Sequence, residues 1–130
     1  MAIKTLIIAE TRICDSLLVV LHSMSEIASV DTAEEIELGL MMSRENQPAL
    51  VFLDAGLAKQ KTTELIQQMK NENPSARLIA LIDSIEQRRQ VLEAGASEVL
   101  IKGFSMAQLS ELIRRLQEEH LENASLRQKH

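Results

Sequence analysis

Apolar residues follow two rhythms along this chain. In the first they run on without a break, as in Leu6-Ile7-Ile8-Ala9, Leu50-Val51-Phe52-Leu53, Leu78-Ile79-Ala80-Leu81-Ile82 and Val99-Leu100-Ile101. Such runs mark strands covered on both faces, the usual state in a parallel sheet between helices. In the second rhythm they recur every three or four positions, as in Ile13, Leu17, Leu18, Leu21 and Met24, then Ile36 and Leu40, then Leu65, Ile66 and Met69, and finally Leu109, Leu112, Ile113 and Leu116. That spacing gives a helix one apolar face. The two rhythms alternate strictly, with Ile27-Ala28-Ser29-Val30 as a shorter, half-exposed strand after the first helix.

Boundary signals agree with this division. Thr32 and Glu35 have capping-box spacing, as do Ser84 and Gln87, and Ser105 and Gln108. Asn46-Gln47-Pro48 should end the second helix, since the residue before a proline avoids helical angles. Ala55 to Lys61 reads as a loop, after which Thr62 or Thr63 can cap a helix closed by Asn73-Pro74. Gly95 suits the end of the helix before the last strand. Five strand–helix units in alternation predict a parallel sheet with helices on both faces, joined by right-handed crossovers. The third and fourth strands should be central, and the second, shortest and least apolar, should lie at an edge. This fits a flavodoxin-like (βα)5 three-layer sandwich with strand order 2-1-3-4-5. Residues 1–120 make the domain; 121–130 form a polar tail, expected as a linker or an extension of the last helix, with Leu121 and Leu126 isolated in it.

Composition narrows the function classes. At 130 residues the chain suits one domain with a real core, and with 2% aromatic residues that core must be aliphatic. A net charge of -5 argues against a nucleic-acid surface. No apolar run approaches a membrane span, and the N-terminus lacks a signal-peptide design. The single cysteine, Cys14, reads as a small apolar helix residue and points to a reducing cytoplasm. There is no phosphate-cradling glycine loop and no zinc-ligand spacing, and His22, His120 and His130 share no relay or metal spacing.

In a sheet of this kind all strands end on one edge, where ligands bind. Glu10, Asp54, Ile82 or Asp83, and Lys102 therefore gather there. Asp54, emerging from the most continuous strand and followed by Gly56, reads equally well as a loop residue capping the next turn or as a functional carboxylate. Two carboxylates and an ammonium around a crevice suit Mg²⁺ and a phosphoryl group, and a carboxylate can itself accept a phosphoryl group.

Here the chain resembles the receiver domains of two-component response regulators, over roughly residues 4 to 120. Asp54, closing Leu50-Val51-Phe52-Leu53, matches the family's phosphoacceptor. Lys102, in Val99-Leu100-Ile101-Lys102-Gly103-Phe104, matches its lysine, and Ala94-Gly95-Ala96-Ser97 matches the turn before that strand. The resemblance implies a non-enzymatic phosphorelay module, with Mg²⁺ held by Glu10, Asp54 and the Gly56 carbonyl, and with Lys102 contacting the phosphoryl group. Its partners would be a sensor histidine kinase or phosphotransfer protein and a downstream protein. Three of the acidic and switch positions depart from the pattern: Thr11 stands at the second acidic position, Ile82 at the switch hydroxyl and Val99 at the switch aromatic. Gly103 replaces the usual proline. The departures imply weak Mg²⁺ binding, or none, and an atypical response to phosphorylation. The competing expectation is a phosphorylation-independent scaffold that forms a homodimer through the helix after the fourth strand and the last helix. A flavodoxin-like enzyme or nucleotide binder is a third, poorly supported by so few aromatic residues.

Overall fold

The computed structural model describes the backbone of residues 3–128 and the side chains of residues 3–119. Five strands, β1 (Ile3–Ile8), β2 (Ile27–Ala33), β3 (Leu50–Asp54), β4 (Arg77–Ile82) and β5 (Glu98–Ile101), form one sheet. All neighbouring pairs are parallel, in the order β2-β1-β3-β4-β5. The connecting helices are α1 (Thr11–His22), α2 (Ile36–Asn46), α3 (Thr62–Glu72), α4 (Arg88–Ala94) and α5 (Met106–Gln128). Order and parallel pairing are those expected from the alternation of apolar rhythms.

The unbroken apolar runs are explained by two cores, one on each face of the sheet. Successive strand residues point to opposite faces. Leu6 and Ile8, Val51 and Leu53, and Leu78, Ala80 and Ile82 pack on one side against Leu65, Ile66 and Met69 of α3 and Val91 of α4. Ile7, Leu50, Phe52, Ile79, Leu81 and Leu100 pack on the other against Cys14, Leu17 and Leu21 of α1 and Leu109, Leu112, Ile113 and Leu116 of α5. A strand buried on both faces has no polar positions to alternate with, so its sequence reads as continuous.

Several local expectations are corrected. β2 is not the shortest strand: it runs seven residues, against four for β5. Its backbone pairing with β1 continues through Ile8 and Ala33, and at an edge Asp31 and Thr32 face water without interrupting it. Thr32 therefore lies inside a strand, and the capping box with Glu35 does not form; α2 starts after Glu35 with no side-chain cap. The stretch Ala55 to Lys61 is a helical turn, Ala55–Ala58, continued by a 3-10 turn, Lys59–Lys61. Thr62 does not cap α3 from outside; its hydroxyl donates back to the Lys59 carbonyl at 2.7 Å. The other two capping signatures form. Gln87 Oε1 accepts from the Asp83 and Ser84 amides at 2.9 and 3.3 Å. Gln108 Oε1 accepts from the Ser105 amide at 2.8 Å, while Ser105 Oγ accepts from the Gln108 amide at 3.1 Å. The helix opened there continues to Gln128, so the tail extends α5 over that length; the side chains of Leu121 and Leu126 lie outside the described residues. Among the described residues no helix is long and apolar enough to cross a membrane.

Candidate functional site

Asp54 closes β3 at the carboxyl edge of the sheet, with two strands on either side. Period-two alternation places it on the same face as Leu50 and Phe52, toward α1 and α5. It is only 1% exposed. A buried carboxylate needs partners, and it has them. Oδ1 accepts from the Gly56 amide at 2.8 Å and lies 2.7 Å from the Lys102 ammonium. Oδ2 has one long contact, the Glu10 amide at 3.5 Å. Asp54 thus caps the helical turn that follows it and is also half of an ion pair.

Lys102 reaches Asp54 because it continues β5 on the face that carries Leu100. Its amide donates to the Ile82 carbonyl at 2.9 Å, which extends the β4–β5 pairing by one residue. Gly103 then turns the chain away with φ 93°, a conformation that favours glycine. Gly56 suits its place for a different reason. A Cβ there would sit 2.5 Å from Lys102 Nζ, so the missing side chain is the space the ammonium occupies. Lys102 also lies 3.2 Å from Asp83 Oδ1. Burial works to lower the lysine pKa, but hydrogen bonds to Asp54 and Asp83 outweigh it and hold the ammonium above its ordinary range.

The sequence left Ile82 or Asp83 open at this edge, and side-chain parity decides between them. Ile82 is fully buried in the opposite core, with Val91. Asp83 shares its face with Ile79 and Leu81 and is the residue that meets Lys102. Counting by twos from Leu81 would have found it. Val99, also on the far face, packs at the margin of that opposite core. Glu10 precedes α1; its amide, not its carboxylate, is what contacts Asp54. Thr11 opens α1 and donates its hydroxyl to Glu34 Oε1 at 2.8 Å, an acidic neighbour from the β2–α2 connection that no sequence spacing signalled. Among the described residues, no three or more His, Cys, Asp or Glu side chains form a group that could hold a metal ion.

A buried aspartate at the end of the central strand, gripped by a lysine from the last strand, is the geometry against which the chain can be compared. A model of the response regulator receiver domain matches residues 6–114. The chain belongs to the response regulator receiver domain family. No curated protein sequence matches this receiver. Among solved structures it resembles NtrX from Brucella abortus, with 21% identity over all of this chain and 30% of that one, at a TM-score of 0.87. It also resembles a CheY-like receiver domain protein from Methanospirillum hungatei JF-1, with 24% identity, 95% of this chain and 99% of that one covered, and a TM-score of 0.83. A two-component response regulator from Clostridium difficile is similar at 22% identity, 89% and 96% coverage and a TM-score of 0.79. At these identities the likeness is one of fold. The receiver spans 30% of the length of NtrX.

Proposed function

We propose that this receiver accepts a phosphoryl group on Asp54, at a reduced or atypical level, and acts through protein–protein contacts rather than as an enzyme. The observation that carries this reading is the Asp54–Lys102 pair at the carboxyl edge of β3 and β5. A sensor histidine kinase or a phosphotransfer protein would present a phosphohistidine. A carboxylate oxygen of Asp54 attacks the phosphorus, the phosphorus–nitrogen bond breaks, and its electron pair stays on the donor imidazole. The product is a mixed anhydride on Asp54. Oδ2 is the oxygen left free for this, since Oδ1 already accepts two hydrogen bonds. Lys102 can then offer its charge to a phosphoryl oxygen as a point donor.

The Asp54 and Glu10 carboxylates and the Gly56 carbonyl are the donors that would hold Mg²⁺, a hard cation content with one or two protein carboxylates. Bound there, the ion would supply positive charge against the phosphoryl oxygens. With Thr11 in place of a second acid, that attraction is weakened. Ile82 and Val99 offer no hydroxyl and no mobile aromatic ring, so coupling through those positions is expected to be slight.

Intact-mass analysis after incubation with acetyl phosphate and Mg²⁺ tests the reading. One added phosphoryl group on the wild type, absent in Asp54→Ala, is expected. An unmodified wild type would sink it.

A second reading, a phosphorylation-independent scaffold, is favoured by one observation. Ile85 ahead of α4 and Met106 opening α5 are 61% and 62% exposed, and Ile101 of β5 is also exposed. These residues would form a homodimer surface along α4 and α5. Sizing the wild type against an Ile85→Asp, Met106→Glu variant separates the two. A wild-type dimer that dissociates in the variant supports the scaffold.

A further inference from the structure

We infer that Asp83 is a built-in rival of the phosphoryl group for Lys102, so that phosphorylation breaks the Lys102–Asp83 bridge and releases the β4–α4 loop. The inference rests on the phosphoryl-accepting reading of Asp54 and concerns how that site is regulated.

One ammonium serves two carboxylates. Lys102 Nζ lies 2.7 Å from Asp54 Oδ1 and 3.2 Å from Asp83 Oδ1, so those two oxygens are no more than about 6 Å apart. In the resting molecule Lys102 offsets the repulsion between them. A phosphoryl group on Asp54 brings close to two negative charges and three strong acceptor oxygens into the same space. Lysine carries three N–H donors on a flexible stem and follows the stronger acceptor. Asp83 then faces the phosphoryl charge without a counter-ion and is repelled.

The loop is built to respond. The Asp83 side chain is 62% exposed, so water can receive its carboxylate once Lys102 leaves. On its far side the loop is held by Gln87 Oε1, which accepts from the Asp83 and Ser84 amides. Beyond Ile82, whose carbonyl accepts from the Lys102 amide, the side-chain ties on the segment are this capping interaction and the Lys102 bridge. Ile85 stands between these anchors and Gln87, exposed and on the side of α4. Loss of the bridge moves the loop outward from Asp54. A hydroxyl drawn to the phosphoryl group would move it inward instead, and Ile82, buried on the opposite face, has none to offer.

The test titrates the full chain with beryllofluoride and Mg²⁺ and follows the backbone amides of Gly56 and Ser84–Gln87 by NMR. Wild type, Asp83→Asn and Asp54→Ala are compared; the exposed position of Asp83 leaves the fold intact in the asparagine variant. Asp83→Asn is expected to bind about tenfold more tightly than wild type, the like-charge repulsion being reduced but not abolished by solvent. Its Ser84–Gln87 amides should also sit, before any ligand is added, near the positions that the wild type reaches at saturation. Equal or weaker binding by Asp83→Asn overturns the inference while leaving the phosphoacceptor reading intact. So do wild-type loop amides that stay in place on binding. If wild type and Asp83→Asn both respond no more than Asp54→Ala, the phosphoacceptor reading falls and this inference with it.

Discussion

Replacing Gly56 by alanine sets two effects against each other, and the structure says which should win. The residue lies in a helical turn at ordinary backbone angles, so alanine is tolerated there and on propensity alone should stabilise by about 0.5 kcal/mol, a discounted share of the roughly 1 kcal/mol seen in long helices. The new Cβ, however, would stand 2.5 Å from Lys102 Nζ and 3.1 Å from Asp54 Oδ1. To reach ordinary contact the ammonium must retreat by about 1 Å, taking its distance from Asp54 from 2.7 Å to about 3.7 Å. At an effective dielectric constant of about 20 that retreat weakens the attraction by roughly 1.7 kcal/mol. Lys102 is 25% exposed, so solvent returns part of this. The net expectation is a loss of about 1 kcal/mol. Urea unfolding followed by circular dichroism measures it, and a double-mutant cycle isolates the cause. In a Lys102→Ala background the Cβ no longer meets the ammonium, so Gly56→Ala should become neutral or stabilising there. The same cost in both backgrounds, or a gain in the wild-type one, would refute the claim that Gly56 exists to make room for the lysine.

Two further outcomes follow from the packing. Burial, then the neighbouring charge of Glu34, pushes the Cys14 thiol above its ordinary value of 9.0. The folded thiol therefore keeps its proton where the unfolded one has lost it, and its contribution to stability, complete below pH 9.0, fades as pH rises above it. Cys14→Ala should show a shallower alkaline loss of stability than wild type in parallel urea titrations, and identical slopes would contradict the assignment. At the start of α5, Ser105→Ala removes the acceptor of the Gln108 amide and should cost about 1 kcal/mol, read as a lower thermal midpoint. No shift there would mean that Gln108 alone holds the cap.

Much of this receiver was legible in advance because its strands are buried on both faces and its helices on one. Those two requirements impose two apolar rhythms, and their alternation already implies the parallel sheet. The ends of β3 and β5 were readable for the same reason: Asp54 and Lys102 are the polar residues on which two apolar runs stop. The Ser105–Gln108 and Ser84–Gln87 caps were also readable, since their partners are three residues apart. The Thr32–Glu35 box failed although its spacing is identical. Pairing of β2 with β1 through Ala33 claimed Thr32 for the sheet, and a local preference worth about 1 kcal/mol yields to a strand's hydrogen bonds.

What the sequence determined by itself was therefore set mostly by neighbours in the chain: the five strands, the five longer helices between and after them, and the charged residues that close β3 and β5, but not the helical turn at Ala55–Ala58. What only the tertiary structure decided was set by neighbours in space. The side on which each residue of β4 points made Asp83, not Ile82, the companion of Lys102. The meeting of α1 with the β2–α2 connection brought Glu34 to Thr11. The approach of a lysine 46 positions along the chain gave Gly56 its purpose. Such contacts leave no periodic trace, because a hydrogen bond or an ion pair depends on distance and direction in three dimensions, whereas periodicity records only burial.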